Sequence, residues 1–170
     1  MSATAPDPAQ KLLDRLVKDG LTLAVAESCT GGLLGGRITE IPGASKAFLG
    51  GIVAYSNEIK VAQLGVDPGL FADGHGAVSA AVATAMAHGV RRKFGSSLAI
   101  AVTGIAGPHG GTPDKPVGTV WLAALGPGDL VNVHRLNAAG DRQAVRLTAV
   151  ADALRLLDRN ISEAEKEHLV

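Results

Sequence analysis

A chain of 170 residues with 46% hydrophobic residues has the length of one domain and enough apolar side chains for a sizeable core. Lys+Arg and Asp+Glu are both 16, a formal net charge of +0, which argues against the broad basic face of an electrostatic nucleic-acid binder. One Cys excludes an intramolecular disulfide and fits a reducing compartment, and no apolar run is long enough to cross a bilayer.

Met1 to Pro6 reads as a loose tail without the basic start and apolar core of a signal peptide, so a cytoplasmic location and no membrane partner are expected. Asp7 followed by Pro8 opens a helix, with Leu12, Leu13, Leu16 and Val17 at helical spacing and Gly20 as its stop. Leu21 to Ala26 is apolar at every position, as in a strand covered on both faces. The chain then breaks at Glu27-Ser28-Cys29-Thr30-Gly31-Gly32 and resumes as a helix from Gly31 to Ile41. Gly35 and Gly36 weaken that helix by about 1 kcal/mol each, and close packing on the sheet or on a partner subunit would explain them.

Pro42-Gly43-Ala44-Ser45 forms a turn before the strand Phe48 to Tyr55. Ser56 caps a helix from Asn57 to Leu64, which Gly65 ends. Asp67-Pro68 starts a brief helical turn, Phe71 to Gly76 is loop, and Ser79 caps an alanine-rich helix from Ala80 to Phe94. The strand Leu98 to Thr103 empties into a second glycine-rich loop, Gly104 to Gly111, and Thr112 to Pro116 reads as mobile. Val117 to Leu125 and Leu130 to Leu136 are apolar strands joined by Gly126-Pro127-Gly128-Asp129, short enough for an antiparallel hairpin. Asp141 caps a long helix to about Asn160, and Ser162 to Val170 reads as a charged, frayed end. These elements make one α/β domain, core about residues 7–160, with a mixed sheet and a hairpin at one side.

Chemistry collects at three strand ends, where ligands gather in open α/β sheets. The first offers Ser28, Cys29 and Thr30 beside Gly31 and Gly32, which allow close backbone approach to a ligand. The helix that follows would lend N–H groups to an anion or oxyanion. Ser28 or Thr30 equally reads as a simple N-cap. The second strand end brings Tyr55 and, one turn into the next helix, Lys60. A buried, neutral Lys60 would take the proton from Ser28 Oγ, with Tyr55 orienting it or passing a proton on. A solvated surface lysine is the alternative for Lys60, and a core ring with a wet hydroxyl for Tyr55. Cys29 is a rival nucleophile if a helix N-terminus lowers its pKa, and otherwise a small buried filler. Arg142 stands in the first turn of its helix against the dipole; it reads as an anion contact or as an exposed, unpartnered side chain. The histidines form no metal-ligating pattern, so with one Cys no zinc site is expected, and no Walker A loop, dinucleotide fingerprint or Gly-x-Ser-x-Gly elbow is present.

Five motifs in order carry a resemblance: Ala26-Glu27-Ser28-Cys29-Thr30-Gly31-Gly32, Tyr55-Ser56-Asn57-Glu58, Gly76-Ala77-Val78-Ser79, Thr103-Gly104-Ile105-Ala106-Gly107-Pro108 with Gly110-Gly111, and Lys115-Pro116-Val117-Gly118-Thr119-Val120. From Leu12 to Leu157 the chain resembles the CinA C-terminal domain family, whose stand-alone enzymatic members are nicotinamide mononucleotide deamidases of the PncC type. The resemblance implies a three-layer α/β/α sandwich with a mixed, mostly parallel sheet, a homodimer, and hydrolysis of the mononucleotide amide without a cofactor. It puts the nucleophile on Ser28, the base on Lys60, a companion tyrosine on Tyr55, and ligand contacts on Ser45, Thr103, Gly104 and Arg142, with Gly43 near them. The family's Gly-Ser-Ser turn reads Gly43-Ala44-Ser45 here. A second functional class stays open: a non-catalytic nucleotide-binding module linked to competence or DNA-damage response, which has no need of Lys60.

Overall fold

The computed structural model describes residues 7–72, 76–167 and 170; the expected tail Met1–Pro6 and part of the expected loop before Gly76 lie outside them. Helix α1 (Pro8–Lys18) begins where expected, because Asp7 Oδ1 accepts the Ala9 N–H at 2.9 Å. The remaining elements follow as β1 (Leu23–Glu27), α2 (Leu33–Thr39), β2 (Phe48–Val53), α3 (Asn57–Leu64), α4 (Gly69–Ala72), α5 (Ala80–Phe94), β3 (Leu98–Gly104), β4 (Thr119–Leu125), β5 (Val131–Asn137) and α6 (Arg142–Lys166). Ser56, Ser79 and Asp141 cap α3, α5 and α6 as their sequence positions suggest.

The strands form one sheet in the order β2-β1-β3-β4-β5. β1 pairs in parallel with β2 and with β3, whereas β3–β4 and β4–β5 are antiparallel. The chain therefore leaves β1 for one neighbour and returns to the other, and a crevice opens outside the carboxyl ends of β1, β2 and β3. Alternation along the strands sorts the core into two unequal layers. Leu23, Val25, Leu98, Ile100, Val102 and Leu122 face α1, α2 and α6. Ala24, Ala26, Ala99, Ala101 and Ala123 face α5, so the alanine-rich helix can lie close to the sheet.

Several sequence expectations are refined by the structure. α2 starts two residues after Gly31 and ends before Ile41, because Gly31 and Gly32 have φ of 59° and 100° and belong to the turn. Its later glycines have no tight packing to explain them: a Cβ at Gly35 would sit at ordinary contact distance and one at Gly36 in open space. Phe71 and Ala72 lie in α4 rather than in a loop. α6 runs on to Lys166, because Asn160, Ile161 and Ala164 keep its inner face buried beneath a charged outer face. The segment 112–115, expected to be mobile, is folded into a turn by paired backbone hydrogen bonds between Thr112 and Lys115. No helix among the described residues is long and apolar enough to cross a membrane.

At Gly89 of α5 an added Cβ would lie 2.0 Å from the Leu64 carbonyl oxygen. Urea unfolding of Gly89→Ala is expected to show a loss of roughly 1–3 kcal/mol, the range for overpacking. Gly36→Ala, with open space and helical backbone, is expected to gain about 0.5–1 kcal/mol in the same assay. Equal effects at the two positions would contradict the close α3–α5 approach.

Candidate active site

The first strand end is an elbow built around Glu27. β1 ends there, and the Ser28 N–H still bonds to the Val102 carbonyl at 2.9 Å, so the serine backbone stays anchored to the sheet. The Glu27 carboxylate then turns back under the helix. Its Oε2 accepts from the N–H groups of Gly32 at 3.1 Å and Leu34 at 3.0 Å, and its Oε1 from Gly35 at 2.8 Å. These are the orphan donors of α2, satisfied by a buried anion at the positive end of the helix. The expectation that α2 lends them to a ligand is thereby corrected, and so is capping by Ser28 or Thr30, since Gly32 occupies the N-cap position. Ser28 keeps its hydroxyl free for other work.

That hydroxyl meets Lys60. Ser56 fixes the start of α3, and Lys60 shares the inner face of this helix with Leu64 four residues on. Lys60 is 1% exposed, so the surface-lysine alternative fails. Its Nζ lies 3.1 Å from Ser28 Oγ, 3.0 Å from the Ala54 carbonyl oxygen and 3.4 Å from the Tyr55 carbonyl oxygen. Burial pushes the ammonium below lysine's ordinary value, outweighing the opposing pull of Cys29 and Glu58. A neutral amine has two N–H groups and one lone pair. An ammonium here donates to all three oxygens; once one proton is lost, the two carbonyls still take the two N–H groups and the lone pair faces Ser28 Oγ. Ala54 is itself held, its N–H donating to the Glu27 carbonyl at 2.8 Å, so elbow and lysine pocket share one residue.

The neighbours divide differently from expectation. Cys29 is buried in the core layer beneath α6, and burial raises its thiol to about 11, so the helix terminus does not make it the low-pKa thiolate that a cysteine nucleophile needs. The Tyr55 ring is 59% exposed; Lys60 is oriented by the tyrosine's backbone carbonyl and not by its ring. The phenol oxygen instead accepts from Arg142 Nη2 at 2.8 Å, while Arg142 Nη1 donates to the Gly107 carbonyl at 2.7 Å. Arg142 is therefore partnered, and reaches from the head of α6 across to β2 and to the second glycine-rich loop.

These groups enclose a cavity of about 270 Å³. Ser28, Cys29, Lys60 and Thr103 form its buried floor, Gly104 to Gly107 one wall, and Tyr55, His109 and Arg142 its exposed rim. Thr103 Oγ1 donates to the Ala77 carbonyl at 2.8 Å and so pins the segment before α5 against the wall. Thr30, Gly31 and Gly32 do not line this cavity; they turn the chain behind it. Gly43 and Ser45 do not line it either. They precede β2, and because β1 and β2 run in parallel, the start of β2 lies beside the start of β1, a strand length away from Ser28. A larger hollow of about 450 Å³ between β5 and α6 is lined by no serine, cysteine or lysine, and its Asp152 and Asp158 are paired with Arg155, Lys11 and Arg15. No cluster of side chains suited to a metal ion occurs among the described residues.

Sequence reasoning missed two supports. Glu27 stood in the motif without a role. Arg146 went unnoticed, although it lies one helical turn after Arg142. Its Nε donates to the Cys29 carbonyl and its Nη2 to the Thr30 carbonyl, both at 3.1 Å, which ties α6 to the elbow. For Glu27→Gln, one terminus of the new amide is a donor facing donors. Thermal or urea unfolding is expected to show a loss of roughly 1–3 kcal/mol, the scale of a hydrogen bond to a charged group. An unchanged midpoint would mean that the carboxylate does not hold α2.

Comparison with known proteins places this architecture. Residues 6–161 match the model of the CinA C-terminal domain. The chain is 52% identical over 153 residues to a CinA-like protein of Gemmatimonas aurantiaca, covering 90% of this chain and 35% of that one. It is 53% identical over 154 residues to a CinA-like protein of Citrifermentans bemidjiense, covering 88% and 37%. It thus spans about a third of the length of the curated relatives it matches. Among solved structures, the competence/damage inducible protein CihA of Agrobacterium tumefaciens superposes with a TM-score of 0.84 at 40% identity, over 92% of this chain and 98% of the other. A CinA superfamily protein of Klebsiella pneumoniae gives 0.87 at 33% identity, over 92% and 96%. By sequence and by fold alike, the chain belongs to the CinA C-terminal domain family.

Proposed function

We propose that the chain is an amidohydrolase that converts nicotinamide mononucleotide to nicotinate mononucleotide and ammonia. The substrate comes from the family resemblance. The chemistry rests on one observation, the buried Lys60 Nζ at 3.1 Å from Ser28 Oγ with two backbone carbonyls as its other neighbours. Ser28 Oγ attacks the amide carbonyl carbon while Lys60 takes the hydroxyl proton. The Lys60 ammonium returns that proton to the departing nitrogen, and ammonia leaves an acyl ester on Ser28. Water then attacks the ester with Lys60 again as base, freeing the carboxylate and the serine hydroxyl. A module that only binds nucleotides has no use for a buried amine beside a hydroxyl, and this favours the enzyme.

The proposal includes a homodimer. Leu49, Val53, Tyr55 and Ile59 are exposed on and beyond β2, which is an edge strand next to the cavity. Sedimentation of the chain at a single-chain mass at micromolar concentration would remove this part.

The direct test is ammonia release from nicotinamide mononucleotide. Ser28→Ala and Lys60→Met are each expected to lower kcat by at least about 10²- to 10⁴-fold, the scale of general base catalysis. Cys29→Ala is expected to stay within a few-fold of wild type. Loss in the cysteine variant with retention in the serine variant would reverse the assignment, and no turnover by wild type would leave the binding module.

A further inference from the structure

His109 has no part in the chemistry above, yet it stands at the mouth of the same cavity. Among the described residues that line the cavity, Lys60, His109 and Arg142 are the basic side chains and no carboxylate opposes them. Lys60 lies on the floor beside Ser28. A substrate whose amide reaches Ser28 must carry its far end out to the rim, between Tyr55, Arg142 and the loop of His109. The usual alternative for an anion, the N-terminus of α2, is closed because Glu27 already bonds three of its N–H groups.

The rim is built to take charge. Arg142 has five N–H donors, and its bonds to the Gly107 carbonyl and the Tyr55 hydroxyl leave others for a ligand. The first of these bonds fixes the guanidinium to the loop that carries His109 two residues later. His109 is exposed there. A phosphomonoester presents three acceptor oxygens, more than one anchored guanidinium side can satisfy.

We propose that His109 is a specificity-determining residue that, with Arg142, forms the rim subsite for the phosphomonoester end of the substrate. This rests on the mononucleotide reading above. The experiment is calorimetric titration of nicotinate mononucleotide, and of the corresponding riboside without phosphate, into wild type, His109→Ala and His109→Arg. The expected result is roughly tenfold weaker nucleotide binding in His109→Ala, the scale of one charge-assisted hydrogen bond, with recovery in His109→Arg and no change for the riboside. Unchanged nucleotide affinity in His109→Ala would overturn the proposal, as would an equal loss for the riboside, which would put His109 on the sugar or ring. Binding of neither ligand by wild type would instead overturn the mononucleotide reading on which the subsite depends.

Discussion

A lysine amine held out of water beside a serine hydroxyl is the constraint that the rest of this structure serves. An isolated ammonium taken into a protein interior is penalised by several kcal/mol, and the group responds by shedding its proton. Lys60 is buried, and desolvation lowers its pKa from the ordinary lysine value. Its surroundings accommodate either form: an ammonium donates to all three oxygens, and a neutral amine keeps the two carbonyls and turns its lone pair to the hydroxyl. Under the proposed mechanism the serine is activated by the burial of its base and not by a charged relay.

The fold holds that pair in place from several sides. The parallel pairing of β1 with β2 brings the elbow and the Ala54 carbonyl together, and the Glu27 main chain bonds the two directly. The Glu27 side chain uses up the head of α2, so the helix that looks like an oxyanion site is instead part of the scaffold. From the opposite side α6 sends Arg146 to the back of the elbow and Arg142 over its mouth. The proposed phosphate subsite is left with the rim, where Arg142 and His109 stand.

Much of this was legible in the sequence because its causes are local. Helix caps at Asp7, Ser56, Ser79 and Asp141 sit beside the turns they stabilise, and the apolar runs give the strands. Ser28 and Lys60 could be paired because both follow strand ends. What escaped depends on distance in the chain or on which face a residue shows. Glu27 reads as one more polar residue until the turn at Gly31 and Gly32 folds α2 back over it. The end of α6 is charged on its outer face, which hides the buried Ile161 and Ala164. Gly43 and Ser45 were placed by resemblance, and within one chain strand direction carries them to the far end of the sheet from Ser28. Arg146 was within reach, four residues after an arginine already singled out.

Membership of the CinA C-terminal domain family accounts for the shared architecture, and the proposed chemistry stands on the protonation state of one side chain. The most direct measurement is an NMR titration of lysine labelled at Cε, with Lys60→Met to assign the signal. Lys60 is expected to titrate below the ordinary value of solvent-exposed lysine amines, with its curve moved by Ser28→Ala. A Lys60 signal that titrates together with those surface amines would mean that no neutral base waits beside Ser28, and the account would fail at its centre.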